Sequence, residues 1–291
     1  MAGEGEAPRR KLFQVTGLQR SGNHAVINWL ASLAPGARHD NDLPHDFFTR
    51  PENLAEAAAT RAEASFFSFE DARGKLRGRR LLESVVPVDP AAFPDFEVRR
   101  LYILRDPYNC WASRVKAQET TKLTSAAELA PFLADWTELA RACVAGPEAF
   151  VLYNSWFRSR PYRQRVCARL GGSYSERTLG EVLGEGGGSS FDGFVRPSYR
   201  TMLGKAGYYL TPEFRRRFLQ SPRSYLARLF ASPIDGRALK VESRWESLVG
   251  RDDARALFED AEVGRLSREI FGFSVGADGA IVTEPPRAAA G

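Results

Sequence analysis

Sulfur and imidazole are scarce in this chain, which has three cysteines, two methionines and three histidines in 291 residues. Cys110, Cys143 and Cys167 are odd in number and contain no C-x-x-C pair, so a disulfide framework and the common zinc-finger spacings are excluded. They read as reduced, packing thiols. No run approaches the roughly 18 apolar residues of a membrane-spanning helix, and the start "MAGEGEAPRRKLFQ" lacks the apolar stretch of a secretory leader. A soluble, cytoplasmic protein without a membrane span is expected. Charge of one sign is also lacking: 41 Lys+Arg against 36 Asp+Glu leave a net +5 with no basic tail. That balance excludes a nucleic-acid-binding stripe and fits a small polyanionic ligand.

What is present is an alternation of short apolar runs with longer helical patterns, across a chain that is 43% hydrophobic and shows no internal repeat. The pattern predicts a single three-layer α/β domain over residues 11–275 with a central parallel sheet, flanked by disordered tails at 1–10 and 276–291. "LFQVTG", "SFFSFED", "RLYILRD" and "AFVLYN" are the expected strands. Ala25, Val26, Trp29, Leu30 and Leu33 share one helical face after the first strand. Leu129, Phe132, Leu133, Trp136, Leu139 and Cys143 mark a crossover helix before the fourth. "YRQRVCARLG" reads as a helix stopped by Gly171 and Gly172, "GEGGGSSFDG" (184–193) as a flexible loop, and "RALKVESRWESL" as a strand or connector.

Two strand–turn–helix junctions carry chemistry. In "FQVTGLQRSGNHAVINWL" an apolar strand ends in glycine, passes through small and polar residues, and enters an amphipathic helix, the layout of an anion cradle. Gly22 is followed by Asn23 and His24, not by the G-K-[ST] that holds a magnesium-bound triphosphate. In "RLYILRDPYNCWASR", Asp106 suits a helix cap and Pro107 the first helical position. Arg105 closes the strand and Ser113 follows eight residues later, so a guanidinium and a hydroxyl two turns along can meet around one anion at the carboxyl edge of the sheet.

With Arg20-Ser21-Gly22-Asn23-His24 in the first junction and Arg105-Asp106-Pro107 with Ser113 in the second, the sequence resembles the sulfotransferases that use 3'-phosphoadenosine-5'-phosphosulfate. The resemblance covers about residues 12–155. It implies a P-loop nucleotide-hydrolase-like fold and a first loop, Arg20 to His24, that binds the 5'-phosphosulfate. It also implies an Arg105–Ser113 pair on the 3'-phosphate, release of 3',5'-adenosine bisphosphate, and no metal. Tyr153 is nominated beside the adenine, with core packing as its alternative. Asn23 and His24 stand where the family has hydroxyl residues, though an amide and an imidazole also donate hydrogen bonds. The glycine loop takes the place of the family's cofactor-covering segment without its basic character.

The acceptor's proton needs a base at the same edge, and the family uses His or Glu. Glu70, at the end of its strand, is ranked first, then His24, then Glu83. The stretch "RHDNDLPHDFF", with His39, Asp40, His45 and Asp46, matches no common metal-ligand spacing and reads as a polar loop on the acceptor side. The acceptor, a small molecule or a carbohydrate, is not specified by any motif. An ATP-dependent small-molecule kinase and a non-catalytic nucleotide-binding module are the competing readings.

Overall fold

In the structure, a computed structural model, residues 9–34, 36–71, 79–121, 128–176, 179, 215, 219 and 241–286 are described. Arg10–Gly17 forms β1, the central strand, because its residues from Leu12 onward are all buried, as befits a strand covered on both faces. Its neighbours are β3 (Ala64–Glu70) and β4 (Phe96–Leu104), with β2 (Arg38–Asp40) outside β3 and β5 (Phe150–Leu152) outside β4. All four pairings are parallel, in the order β2-β3-β1-β4-β5. Among the described residues the helices include α1 (Asn23–Ser32), α2 (Pro51–Ala58), α3 (Leu81–Ser84), α4 (Pro107–Thr121), α5 (Leu129–Ala145), α6 (Tyr153–Arg158) and α7 (Arg160–Arg169). A further helix, Ala261–Phe271, packs on α5. The fold is therefore the expected α/β layering around a parallel sheet.

Pleating divides the aromatic residues between two faces. Phe13 and Phe66, paired in register, stack at 4.8 Å on the face beneath α1. Phe67 and Phe69 point the other way, into an edge-to-face cluster with Phe48 and Phe93. Cys110, Cys143 and Cys167 are free and buried, and burial raises the thiol pKa of each, as expected of packing residues.

The observed elements amend the sequence reading in several places: Arg10, expected in the tail, begins β1, and the strand expected at "AFVLYN" stops at Leu152, with Tyr153 and Asn154 opening α6. Arg38–Asp40, read as part of a polar loop, adds an edge strand, and three residues are too few to show a period. Ile281–Thr283 pairs antiparallel with Phe273–Val275, so 276–286 is a hairpin arm rather than a tail. Its exposed apolar side chains carry no alternating signal. Residues 244–248, part of the strand or connector, form a short 3-10 helix. The 184–193 loop and the termini 1–8 and 287–291 lie outside the described residues.

Candidate functional site

The loop from Gly17 to Asn23 is held from within. The Ser21 N–H donates to Leu18 O at 3.1 Å and the Val26 N–H to Gly22 O at 3.1 Å. Arg20 (φ 69°) and Gly22 (φ 92°) are both left-handed, and for arginine that conformation costs on the order of 1 kcal/mol. Glycine is needed at 22, since a Cβ there would overlap the Tyr153 ring. Among the described residues no side chain caps α1 and no acid lies in its first turn, so its leading N–H groups and the positive end of its dipole face the loop. Ser21 and Asn23 turn inward. Ser21 Oγ lies 2.7 Å from Leu18 O and 2.8 Å from Asn23 Oδ1, and the Asn23 amide donates to Glu70 Oε1 at 2.9 Å and Leu18 O at 3.2 Å. Their side-chain donors are spent on the loop and on Glu70, leaving the backbone as their contribution to a cradle.

A buried ion pair fixes the same loop from outside. Asp71 Oδ1 accepts the Gln19 N–H at 2.5 Å, and Arg114 Nε donates to Gln19 O at 3.1 Å. The two side chains bond each other, so one peptide segment is clamped by both charges. Burial disfavours the Arg114 cation, yet Asp71 overrides this and raises its pKa. Neither residue was singled out from the sequence. The available signal was an acid directly after Glu70 and an arginine directly after Ser113.

At the second junction, Asp106 caps α4 as its position predicts, accepting the Asn109 N–H at 2.8 Å. Its carboxylate also accepts from the Asn109 and Asn154 amides, and Asn154 Oδ1 accepts the Asp106 N–H. Asn109 then reaches far along the chain, accepting the Arg244 N–H at 2.8 Å and donating to Glu242 O at 3.0 Å. With Asp106 saturated by amides, Arg105 is no partner of it. Arg105 Nη1 donates to Arg20 O at 3.2 Å and Nη2 to Val241 O at 2.6 Å. Its Nε is buried with no hydrogen-bond partner among the described residues, and the side chain is 3% exposed.

These two junctions meet. Arg20 Nε donates to Ser113 Oγ at 3.3 Å, so Ser113 contacts the first arginine, and what reads in sequence as two separate sites is contiguous. The Arg105 guanidinium lies 5.1 Å over the Tyr153 ring. Tyr153 begins α6 and is buried against Trp156 and Phe157, so its face is engaged by the protein and the loop together. Burial, then the nearby Arg105 charge, lower the pKa of Arg20. The buried guanidinium of Arg105 and the half-buried one of Arg20 thus lie close together, an arrangement that an anion relieves.

Glu70 closes β3 beside Gly17 of β1, on the face that carries α1. Burial raises its carboxyl pKa to about 7, with Asn23 opposing. His45 braces the strand end behind it. Nε2 lies 2.7 Å from Glu70 O, which only accepts, so Nε2 carries a proton, and Nδ1 lies 2.6 Å from Ser84 Oγ. The His24 ring lies 6.0 Å from that of His39, whose pKa burial and then the His24 charge depress to about 4. Glu83 is exposed on α3, a helix packed against α5 by the Leu81 N–H to Asp135 bond. The structure therefore gathers Arg20, Ser21, Gly22, Asn23, Glu70, Arg105, Ser113 and Tyr153 around one edge and leaves Glu83 on the surface. Among the described residues no group of three His, Cys, Asp or Glu forms a metal-ligand set, and no helix is long and apolar enough to cross a membrane.

No protein-family model matches the sequence, and no curated protein does. Among solved structures, the chain is similar to mouse sulfotransferase SULT7A1 complexed with PAP, at 12% identity and a TM-score of 0.42 over 77% of this chain and 87% of that one. It is likewise similar to retinol dehydratase in complex with androsterone and inactive cofactor PAP, at 13% identity and a TM-score of 0.41 over 90% of this chain and 82% of that one.

Proposed function

We propose that this chain is a sulfotransferase that moves a sulfuryl group from 3'-phosphoadenosine-5'-phosphosulfate to a hydroxyl or amine of a small-molecule or carbohydrate acceptor, and that it works in the cytoplasm without a metal. One observation carries the reading: Arg20 and Arg105 are crowded together beside Ser113, with Arg105 Nε buried and unpartnered among the described residues. A buried guanidinium N–H without an acceptor costs free energy until an anion arrives, so the site fits a bis-phosphorylated nucleotide. The donor supplies an activated sulfuryl group on a leaving phosphate. Arg20, the α1 amides and His24 would hold that phosphate and offset charge as the S–O bond breaks. Arg105 and Ser113 would hold the 3'-phosphate, and Tyr153 would flank the nucleotide. Glu70, with a pKa of about 7, is half ionised near neutrality and suited to take the acceptor's proton as the new S–O bond forms. His24 stands second as base, and the exposure of Glu83 removes its support.

A competing kinase reading would need the phosphate-binding lysine and the magnesium-binding hydroxyl of G-K-[ST], and Asn23 and His24 occupy those positions. Thermal unfolding with 3',5'-adenosine bisphosphate, ATP and AMP, each in excess chelator, tests the assignment. A ligand at 100 times its Kd stabilises by about 2.7 kcal/mol. The bisphosphate should stabilise most, and transfer of sulfate from the donor should persist with chelator. Magnesium-dependent stabilisation by ATP alone would replace the sulfotransferase with the kinase. Bisphosphate binding without transfer to any acceptor would leave a non-catalytic module.

A further inference from the structure

The opposite edge of the sheet holds a cavity of about 460 Å³ that shares no residue with the site above. It lies where β1 and β3 begin, beneath the C-terminal ends of α1 and α7. Phe13, Phe66, Leu30, Leu170 and Cys167 form a buried apolar interior. Its half-buried and exposed rim is charged, with Arg9, Arg10 and Lys11 and, among the described residues that line it, one acid, Glu63; Arg10 also pairs with Asp95 outside the cavity. The Lys11 ammonium is fixed at this mouth by donating to Leu170 O at 2.7 Å and Gly171 O at 2.8 Å. An ammonium has three donors, and among the described residues the third has no hydrogen-bond partner, so a positive charge is held ready at the entrance to a greasy space.

We infer that this cavity is a second ligand site, and that it takes a small amphiphile with an aliphatic body and one anionic head group. The volume falls within the range of ordinary ligand pockets, about 300–1,000 Å³, and the division into apolar walls and few polar groups is theirs too. The body would lie against the stacked Phe13 and Phe66 rings, and the head group would meet Lys11 with Arg9 alongside. The inference is independent of the sulfotransferase reading, because the two sites occupy opposite edges of the sheet.

Calorimetric titration with sodium octanoate, sodium decanoate and octylammonium chloride tests it. Each buried methylene should tighten binding about four-fold, so decanoate should bind about 15-fold more tightly than octanoate, and octylammonium should bind at least ten-fold more weakly than octanoate. Lys11→Met should weaken decanoate about ten-fold. Since Lys11 also holds the end of α7, Ala34→Trp provides a second variant: it fills the cavity from a half-buried wall position and should abolish decanoate binding while the unfolding temperature stays near that of the parent. Absence of saturable decanoate binding, no gain with chain length, equal binding of octylammonium, or undiminished binding by Ala34→Trp would each overturn the inference.

Discussion

At the carboxyl edge of the sheet, charged and polar side chains are driven inside: Arg105 is 3% exposed, and Asp106, Asn109 and Ser113 are buried with it. At the amino edge the strands begin with Arg10 and Lys11, which stay partly in solvent, while the interior beneath them is aromatic and aliphatic. One sheet thus has an edge where polar groups were kept despite the cost of desolvation and an edge where they were kept out of the core. Burying a charge costs several kcal/mol before any partner compensates it. The carboxyl edge bears that cost repeatedly within one small volume, which is the arrangement the proposed function would use.

The largest effect that would break this contrast is on turnover. Glu70→Gln keeps the size of the side chain and cannot take a proton, so turnover should fall by about two to four orders of magnitude with nucleotide affinity nearly unchanged. Steady-state rates beside calorimetry measure both. If Glu70→Gln keeps its rate and His24→Ala loses it, the base is the histidine.

Next in size is the clamp on Gln19. Arg114→Met leaves Asp71 buried without its cation and should destabilise the fold by about 3–5 kcal/mol, whereas Arg141→Met, which breaks the exposed Arg141–Glu262 pair, should cost no more than about 1 kcal/mol. Denaturant unfolding reads the difference. The double variant Asp71→Leu with Arg114→Met should recover most of the stability but not the nucleotide affinity, because the Gln19 peptide loses both its restraints.

Arg105→Ala should weaken 3',5'-adenosine bisphosphate by about 2–4 kcal/mol and AMP hardly at all. Equal losses for the two nucleotides would make Arg105 a support of the fold, through Arg20 O and Val241 O, rather than a reader of the 3'-phosphate.

The smallest effect concerns pH. A carboxyl group with a pKa raised from 4.5 to about 7 on folding favours the folded state below pH 4.5 and loses that advantage as pH rises through 7. Between those limits the wild type should lose up to about 3–4 kcal/mol that Glu70→Gln does not lose, the figure following from about 1.4 kcal/mol per pH unit. The rate should move the other way, rising with pH to a half-maximum near 7. Parallel stability profiles for wild type and variant would show that burial does not perturb Glu70.

The two junctions were legible because each is local. A strand, a turn and a helix start lie within about fifteen residues, and Asp106 and Pro107 announce their own geometry. Glu70 was legible from its place at the end of "SFFSFE", and its neighbour Asp71 was passed over because nothing near it in sequence names Arg114 as its partner. The same blindness hid Asn154 and the far bonds of Asn109, which span 48 to 135 residues of separation. Local patterning also misplaced donors. Asn23 is at the helix start where an anion would find it, but the amide is turned to Glu70, an acid that arrives from another strand.

Those long separations bear on how the protein is made. Arg105 is tied to Val241, and Asn109 to Glu242 and Arg244, so the second junction is finished by residues more than 130 positions downstream. At about 5–20 residues per second, the stretch between Arg105 and Val241 takes several seconds or more to synthesise, so these contacts form later than the local strand–turn–helix ones.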